Sequence, residues 1–245
     1  MVGMPLPLDD SSTAEAHADK QASNKNTIIV RMTETPVRRM QKRAVKVHAA
    51  KPANNFSAEY FKKFYLSPAT RVVTPGEMRS RAGVIACTLS HCEIPVRRIL
   101  DAGCGIGLLR EPFKEFLPRA RYTGLEASEY LCRRFGWTRG SVADYVPRQP
   151  FDLVVCYDVL QYLTDADAAA AIANLRHLSR AAVYVSALTS EDWRANCDRS
   201  RTDGAVHLRS GAWYRRRLKK SFRYIGFGIW IRKNVTAILW DLERP

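Results

Sequence analysis

The feature that most constrains this chain is the run Asp101-Ala102-Gly103-Cys104-Gly105-Ile106-Gly107. An apolar β-type stretch from Ile94 to Leu100 stops at an acid, and three glycines then fall at alternate positions. Glycine at that spacing lets the backbone turn sharply and brings bare N–H groups against a ligand with no Cβ in the way. A helical pattern over 108–117 closes a strand–loop–helix unit. The pyrophosphate fingerprint G-x-G-x-x-G needs glycine at 108, where this chain has Leu108. The loop is therefore of nucleotide-binding type but not a dinucleotide cradle.

Three further segments follow in order. Arg121-Tyr122-Thr123-Gly124-Leu125 is a second strand pattern ending in Glu126, an acid placed to accept both hydroxyls of a ribose. Gly140-Ser141-Val142-Ala143-Asp144 is the third, and the fourth runs from Phe151 through Tyr157-Asp158-Val159-Leu160 to Leu163. Taken together, residues 98–163 resemble the ordered motifs of the class I S-adenosylmethionine (AdoMet) methyltransferases, the last being similar to that family's FDLV…DVLxxL. The resemblance implies an α/β, Rossmann-like fold: a seven-stranded, mostly parallel sheet of order 3-2-1-4-5-7-6 with helices on both faces.

It also implies site residues. Gly103, Gly105 and Gly107 would let the backbone approach AdoMet, with Asp101 orienting the loop and the methionine end. Glu126 would hold the ribose, and Ser141 and Val142 the adenine edge, with Asp144 as the alternative partner because the family often has Asp where this chain has Ser141. The Tyr157 backbone would lie near the methionine amine. Arg71, in a connection before the fold, is a candidate partner for the ligand carboxylate.

Methyl transfer from a sulfonium is an in-line displacement that needs alignment and water exclusion, and a base only where the nucleophile arrives protonated. Position 157–160 lacks the [Asp/Asn]-Pro-Pro-[Tyr/Phe] of amine and nucleobase methylases and the Pro-Cys of the 5-methylcytosine enzymes. Gln161-Tyr162 stands where related small-molecule enzymes often carry Glu-His. Tyr162 remains a candidate substrate contact. The polar loop 190–208, with one Trp, follows the fifth strand pattern on the ligand side of such a sheet and suggests a lid. Within it His207 is the candidate base, and Asp198, Arg199 and Tyr214 are candidate substrate contacts.

Length allows one full core. No apolar run reaches the length of a membrane span, and the N-terminus, with Asp9 and Asp10, has neither a secretory nor a transit-peptide pattern. Six cysteines without C-x-x-C spacing read as buried thiols of a reducing compartment, so the expectation is a cytoplasmic protein. A metal site from Cys87, His91 and Cys92 is the weaker reading, and none is assigned.

The net charge is +15. Residues 1–54 form a basic arm without apolar periodicity, expected to be disordered or partly helical over 35–48. Met32 and Met40 leave open a natural start further along. Residues 55–245 form the methyltransferase domain, with a helical cover over 55–92. In the cover, Ser57 caps a helix carrying Tyr60, Phe61, Phe64 and Tyr65, and Thr74-Pro75-Gly76-Glu77 opens a second as a capping box. Strands are expected at 98–102, 121–126, 137–141, 151–157 and 181–187, and helices at 108–117, 128–135, 165–178 and 211–220. A final antiparallel hairpin pairs 222–231 with 235–242.

The activity expected is AdoMet-dependent methylation of oxygen or nitrogen in a small metabolite. Nine Lys/Arg and no acid between 209 and 233 favour the alternative of an RNA or ribosomal substrate. A non-catalytic AdoMet-binding protein is the third reading.

Overall fold

The computed structural model describes residues 56–243 and 245; the arm expected over 1–54 lies outside them. Strands β1 (Arg98–Ala102), β2 (Arg121–Glu126), β3 (Thr138–Arg139), β4 (Phe151–Tyr157), β5 (Ser179–Ser186), β6 (Phe222–Gly226) and β7 (Ile229–Arg232) make one sheet. Their order is β3-β2-β1-β4-β5-β7-β6. β1 pairs in parallel with β2 and β4, β2 with β3, and β4 with β5, while β7 runs antiparallel between β5 and β6. This is the expected topology.

Both faces of the central strands are apolar, as a sheet covered on two sides requires. Ile99, Leu153, Val155, Ala182 and Tyr184 face one cluster, with Ala82, Ile85 and Leu89 of helix α2 (Pro75–His91) and Phe113 of α3 (Arg110–Phe116). Leu100, Val154, Cys156 and Val183 face the other, with Ile172 and Leu175 of α5 (Asp165–Leu178) and Tyr214 and Leu218 of α7 (Gly211–Leu218). The alternation along each strand is the period of two that carries successive side chains to opposite faces. α2 begins with the expected capping box, in which Thr74 accepts from the Glu77 N–H while the Glu77 carboxylate accepts from the Thr74 N–H.

Ser57 caps the first helix of the cover as expected, accepting from the Tyr60 N–H; that helix is one α-turn, α1 (Ala58–Phe61), that widens into a π-helix over Lys62–Leu66. One local expectation is corrected. The terminal hairpin lies wholly inside 222–232, because Gly226, Phe227 and Gly228 take φ of 113°, 48° and 80° and reverse the chain. Left-handed backbone at glycine is the ordinary signal of such a turn, and it divides what the apolar pattern presents as a single strand. Residues 235–242 form no strand; Val235, Ala237 and Leu239 pack against the α2 side of the core.

Candidate active site

The loop after β1 is fixed by its backbone. The N–H groups of Gly103 and Cys104 both donate to the Leu125 carbonyl (2.7 and 3.2 Å), which ties the loop to β2. The Trp137 indole N–H holds the Gly105 carbonyl at 3.0 Å. A Cβ on Gly103 would lie 2.2 Å from Val159 Cγ2, and one on Gly107 2.7 Å from the Trp137 ring. At Gly105, with φ of +54°, a Cβ would meet nothing within 4 Å. Gly103 and Gly107 are thus demanded by packing, and Gly105 alone opens onto space.

That space is a cavity of about 570 Å³ at the carboxyl ends of the central strands, within the size range of small-molecule sites. Gly103, Gly105, Glu126, Ser141, Val142, Tyr162 and His207 all line it. Glu126 is 7% exposed; its Oε2 accepts from the Gly105 N–H and its Oε1 from the Ser128 N–H, each at 2.9 Å. A carboxylate has about four lone-pair sites, so both oxygens keep capacity for ligand hydroxyls. Phe56, Tyr60, Phe61 and Tyr65, from the cover, supply the aromatic wall, and the hydroxyls of Tyr60 and Tyr162 lie 2.9 Å apart. Burial holds the Tyr162 phenol far above its ordinary range, so it is a hydrogen-bonding group and not a base at neutral pH.

His207 is tied by its backbone N–H to the Gln161 carbonyl at 2.7 Å, while its side-chain Nε2 is buried without a hydrogen-bond partner. Such a nitrogen is costly to leave unmatched, and a ligand in the cavity is what can match it.

Five expected residues stand elsewhere. Gly107 packs on Trp137, and Asp144 is exposed and away from the cavity wall. Asp101 and Tyr157 border a small hollow beneath the glycine loop. Arg71 and Tyr157 line a second cavity of about 680 Å³, between the cover and the 186–203 segment, which shares Tyr65, Asp158 and Tyr162 with the first. Of the lid contacts, Asp198 lines that second cavity, Arg199 lies at an outer hollow facing Lys63, and Tyr214 is buried in the core.

Asp101 is buried and accepts a hydrogen bond from the Tyr122 hydroxyl. Burial, opposed by that bond and reinforced by the Glu126 charge, pushes its carboxyl up to about 7 from an ordinary 3.8. The neutral form is therefore the one the fold favours. Its contribution is fully present below about pH 4 and is lost as pH rises through about 7. Between pH 5 and 8 the unliganded protein should lose stability through this group, and urea midpoints of Asp101→Asn should fall less over that interval than those of wild type.

The family model of a methyltransferase domain matches residues 100–182, the segment that carries β1, the glycine loop, Glu126 and the β4 edge. Residues 100–182 thus match a methyltransferase domain, and the sheet around them has the strand order expected of the class I AdoMet-dependent methyltransferases. Magnesium protoporphyrin IX methyltransferase of Synechocystis PCC 6803, solved with bound SAM, is 19% identical, at a TM-score of 0.52 over 76% of this chain and 100% of that one. DesVI of Streptomyces venezuelae is 18% identical, at 0.52 over 71% and 97%. The plantazolicin methyltransferase BpumL, solved with SAH, is 15% identical, at 0.50 over 68% of each chain. At these identities the likeness is one of fold. No curated protein matches the chain.

Sequence reasoning missed Asp158, which is half-buried, takes φ of 55° just after β4 and lines both cavities. A non-glycine residue with left-handed backbone marks functional sites often enough to be a signal, but nothing in the sequence pattern displays it. Burial pushes its carboxyl up, against the opposing effects of Tyr157, Arg81 and Gln161. The basic stretch 209–233 is also less of a surface than its sequence suggests. Arg209 is buried, Arg217 lies over the Trp213 ring, and Arg232 donates to the carbonyls of Arg176 and Ser179. Among the described residues no helix is long and apolar enough to cross a membrane.

Proposed function

We propose that this methyltransferase moves the methyl group of AdoMet to an oxygen or nitrogen of a small molecule. The observation that carries this reading is that one cavity joins the open face of Gly105 and the Glu126 carboxylate to Tyr162 and the unpartnered His207 Nε2. The residues fit AdoMet: the strand-end acid suits a ribose diol, Ser141 and Val142 suit an adenine edge, and the bare backbone at Gly105 admits close approach. AdoMet, when bound, supplies a methyl group on a sulfonium. That methyl group would be open to in-line displacement by an acceptor lone pair, with SAH as the leaving group. His207 Nε2 takes the acceptor's proton, and Tyr162 orients the acceptor. The aromatic wall of the 55–92 cover excludes water from the displacement. The arm over 1–54 is not needed for this chemistry.

The test is calorimetric titration of S-adenosylhomocysteine (SAH), followed by labelled-methyl transfer from AdoMet to metabolite and RNA fractions. Wild type should bind SAH and label small molecules at moderate salt. Glu126→Gln puts an N–H donor where an acceptor is needed, and should weaken SAH by about tenfold. Label found only in RNA would overturn the substrate class, and binding without any label would favour a non-catalytic role.

A further inference from the structure

The second cavity has polar groups that its own chain leaves unmatched. Arg81, on α2, donates from Nη1 to the Tyr184 hydroxyl and sets its guanidinium 4.2 Å over the Tyr157 ring, yet its Nε is buried with no partner. Among the described residues no carboxylate lies within ion-pair distance of it. Gln161, 4% exposed, acts on the Asp158 carboxyl and has its side-chain Oε1 buried and unmatched. Both residues line this cavity and both act on Asp158, so they belong to one locality.

The cavity is rich in acids, but most already have donors. Glu77 accepts from the backbone and hydroxyl of Thr74, and Asp192 from Thr189 and Asn196. Asp198 accepts from the backbone and hydroxyl of Ser200, with Arg201 beside it, and Asp203 accepts from the Ala205 N–H. What remains for a ligand is a guanidinium donor at Arg81, a second cation at Arg71 that also lines the cavity, and an amide acceptor at Gln161. A guanidinium edge suits a carboxylate, and an amide oxygen suits a hydroxyl or amine. None of the residues fitted to the ribose and adenine lines this cavity. It meets the first one only at Tyr65, Asp158 and Tyr162.

We infer that the second cavity is the acceptor's site, and that it selects a molecule carrying both a carboxylate, seated at Arg81, and a hydroxyl or amine, seated at Gln161. This rests on the methyltransferase reading of the first cavity. The hydroxyl or amine then lies at the wall that Tyr65, Asp158 and Tyr162 share with the first cavity, from whose side His207 takes its proton, and the carboxylate is held away from it. Arg81 is here a specificity-determining residue.

The experiment uses the full chain saturated with SAH and calorimetric titration of three acids, each against its own carboxamide: 4-hydroxybenzoate, anthranilate and 3-hydroxybutyrate. At least one acid should bind wild type about tenfold or more tightly than its amide, since charge-assisted bonds of this kind carry such factors. Arg81→Gln should abolish that preference, and Arg81→Lys should restore part of it. Affinities for SAH and for 5′-methylthioadenosine, which has no amino-acid tail, should be unchanged in both variants, and thermal midpoints report folding. Wild type preferring no acid over its amide would overturn the inference. So would Arg81→Gln weakening SAH tenfold while sparing 5′-methylthioadenosine, which would assign Arg81 to the cofactor's own carboxylate. Failure of wild type to bind SAH, seen before any acid is added, removes the methyltransferase reading and this inference with it.

Discussion

Gly105→Arg is expected to weaken SAH binding by at least about 100-fold in a protein that still folds. The position is the one glycine of the loop whose missing Cβ faces open space, and that space is the cavity bounded by Glu126. An arginine grown from it would occupy the ligand's volume. It would also meet the Glu126 carboxylate, which already accepts the Gly105 N–H, and pair with it, so the acid meant for the ribose would be lost as well. The backbone at φ +54° adds a strain cost of about 1–2 kcal/mol for any residue with a Cβ.

That strain needs a control, and Gly136 offers one. It caps α4 (Glu129–Phe135) at φ +71°, also with nothing within 4 Å of a Cβ, and does not line the cavity. Gly136→Ala should lose about 1 kcal/mol of stability and leave SAH affinity as it was. Wild-type affinity in Gly105→Arg would refute the placement of the ligand. Equal losses in both variants would mean that strain, and not occlusion, is responsible.

The sheet order was legible only through the family resemblance, whereas the capping box at Thr74 and the β1–loop–β2 half of the candidate site were legible because each is local. A capping box sits within four residues, and an acid at a strand tip is fixed by the strand's end. The terminal hairpin was misjudged where two signals conflicted: an apolar pattern across 222–231 concealed the Gly226-Phe227-Gly228 reversal. Asp158, Arg81 and Gln161 were out of reach for another reason. Their roles arise from α2, β4 and the 186–203 segment meeting around one cavity, and nothing within their own windows distinguishes them from solvated residues. The same holds for Arg209, whose neighbours in sequence made it look like part of a basic surface. Its ionic partner and the two carbonyls it holds lie more than forty positions away.

Arg209→Met is accordingly expected to be the most destabilising of the charge-removing substitutions in the 209–233 stretch, by roughly 3 kcal/mol, or a fall of about 6–12 °C in thermal midpoint. The side chain is 4% exposed, whereas its ionic partner Asp165 is 78% exposed, so the ion pair itself contributes little. The larger effect lies in the other bonds. Nη1 donates to the Leu160 carbonyl at 2.9 Å and to the Tyr214 hydroxyl at 3.3 Å, and Nη2 donates to the Leu163 carbonyl at 2.6 Å. Methionine keeps much of the packing volume but leaves two carbonyls without their charged donor, each worth about 1.5–3 kcal/mol to a charged group. Asp165→Asn should cost less than about 1 kcal/mol, and Arg217→Met, where the guanidinium lies over Trp213, about 0.5–1 kcal/mol. The ranking separates a clamp on backbone carbonyls from a surface charge, and a midpoint for Arg209→Met within 2 °C of wild type would contradict it. The two carbonyls bracket Gln161 and Tyr162, and the Gln161 carbonyl in turn holds the His207 N–H. Loosening this clamp should therefore reduce methyl transfer more than SAH affinity, because Gln161, Tyr162 and His207 are the residues proposed for the acceptor and not for the ribose.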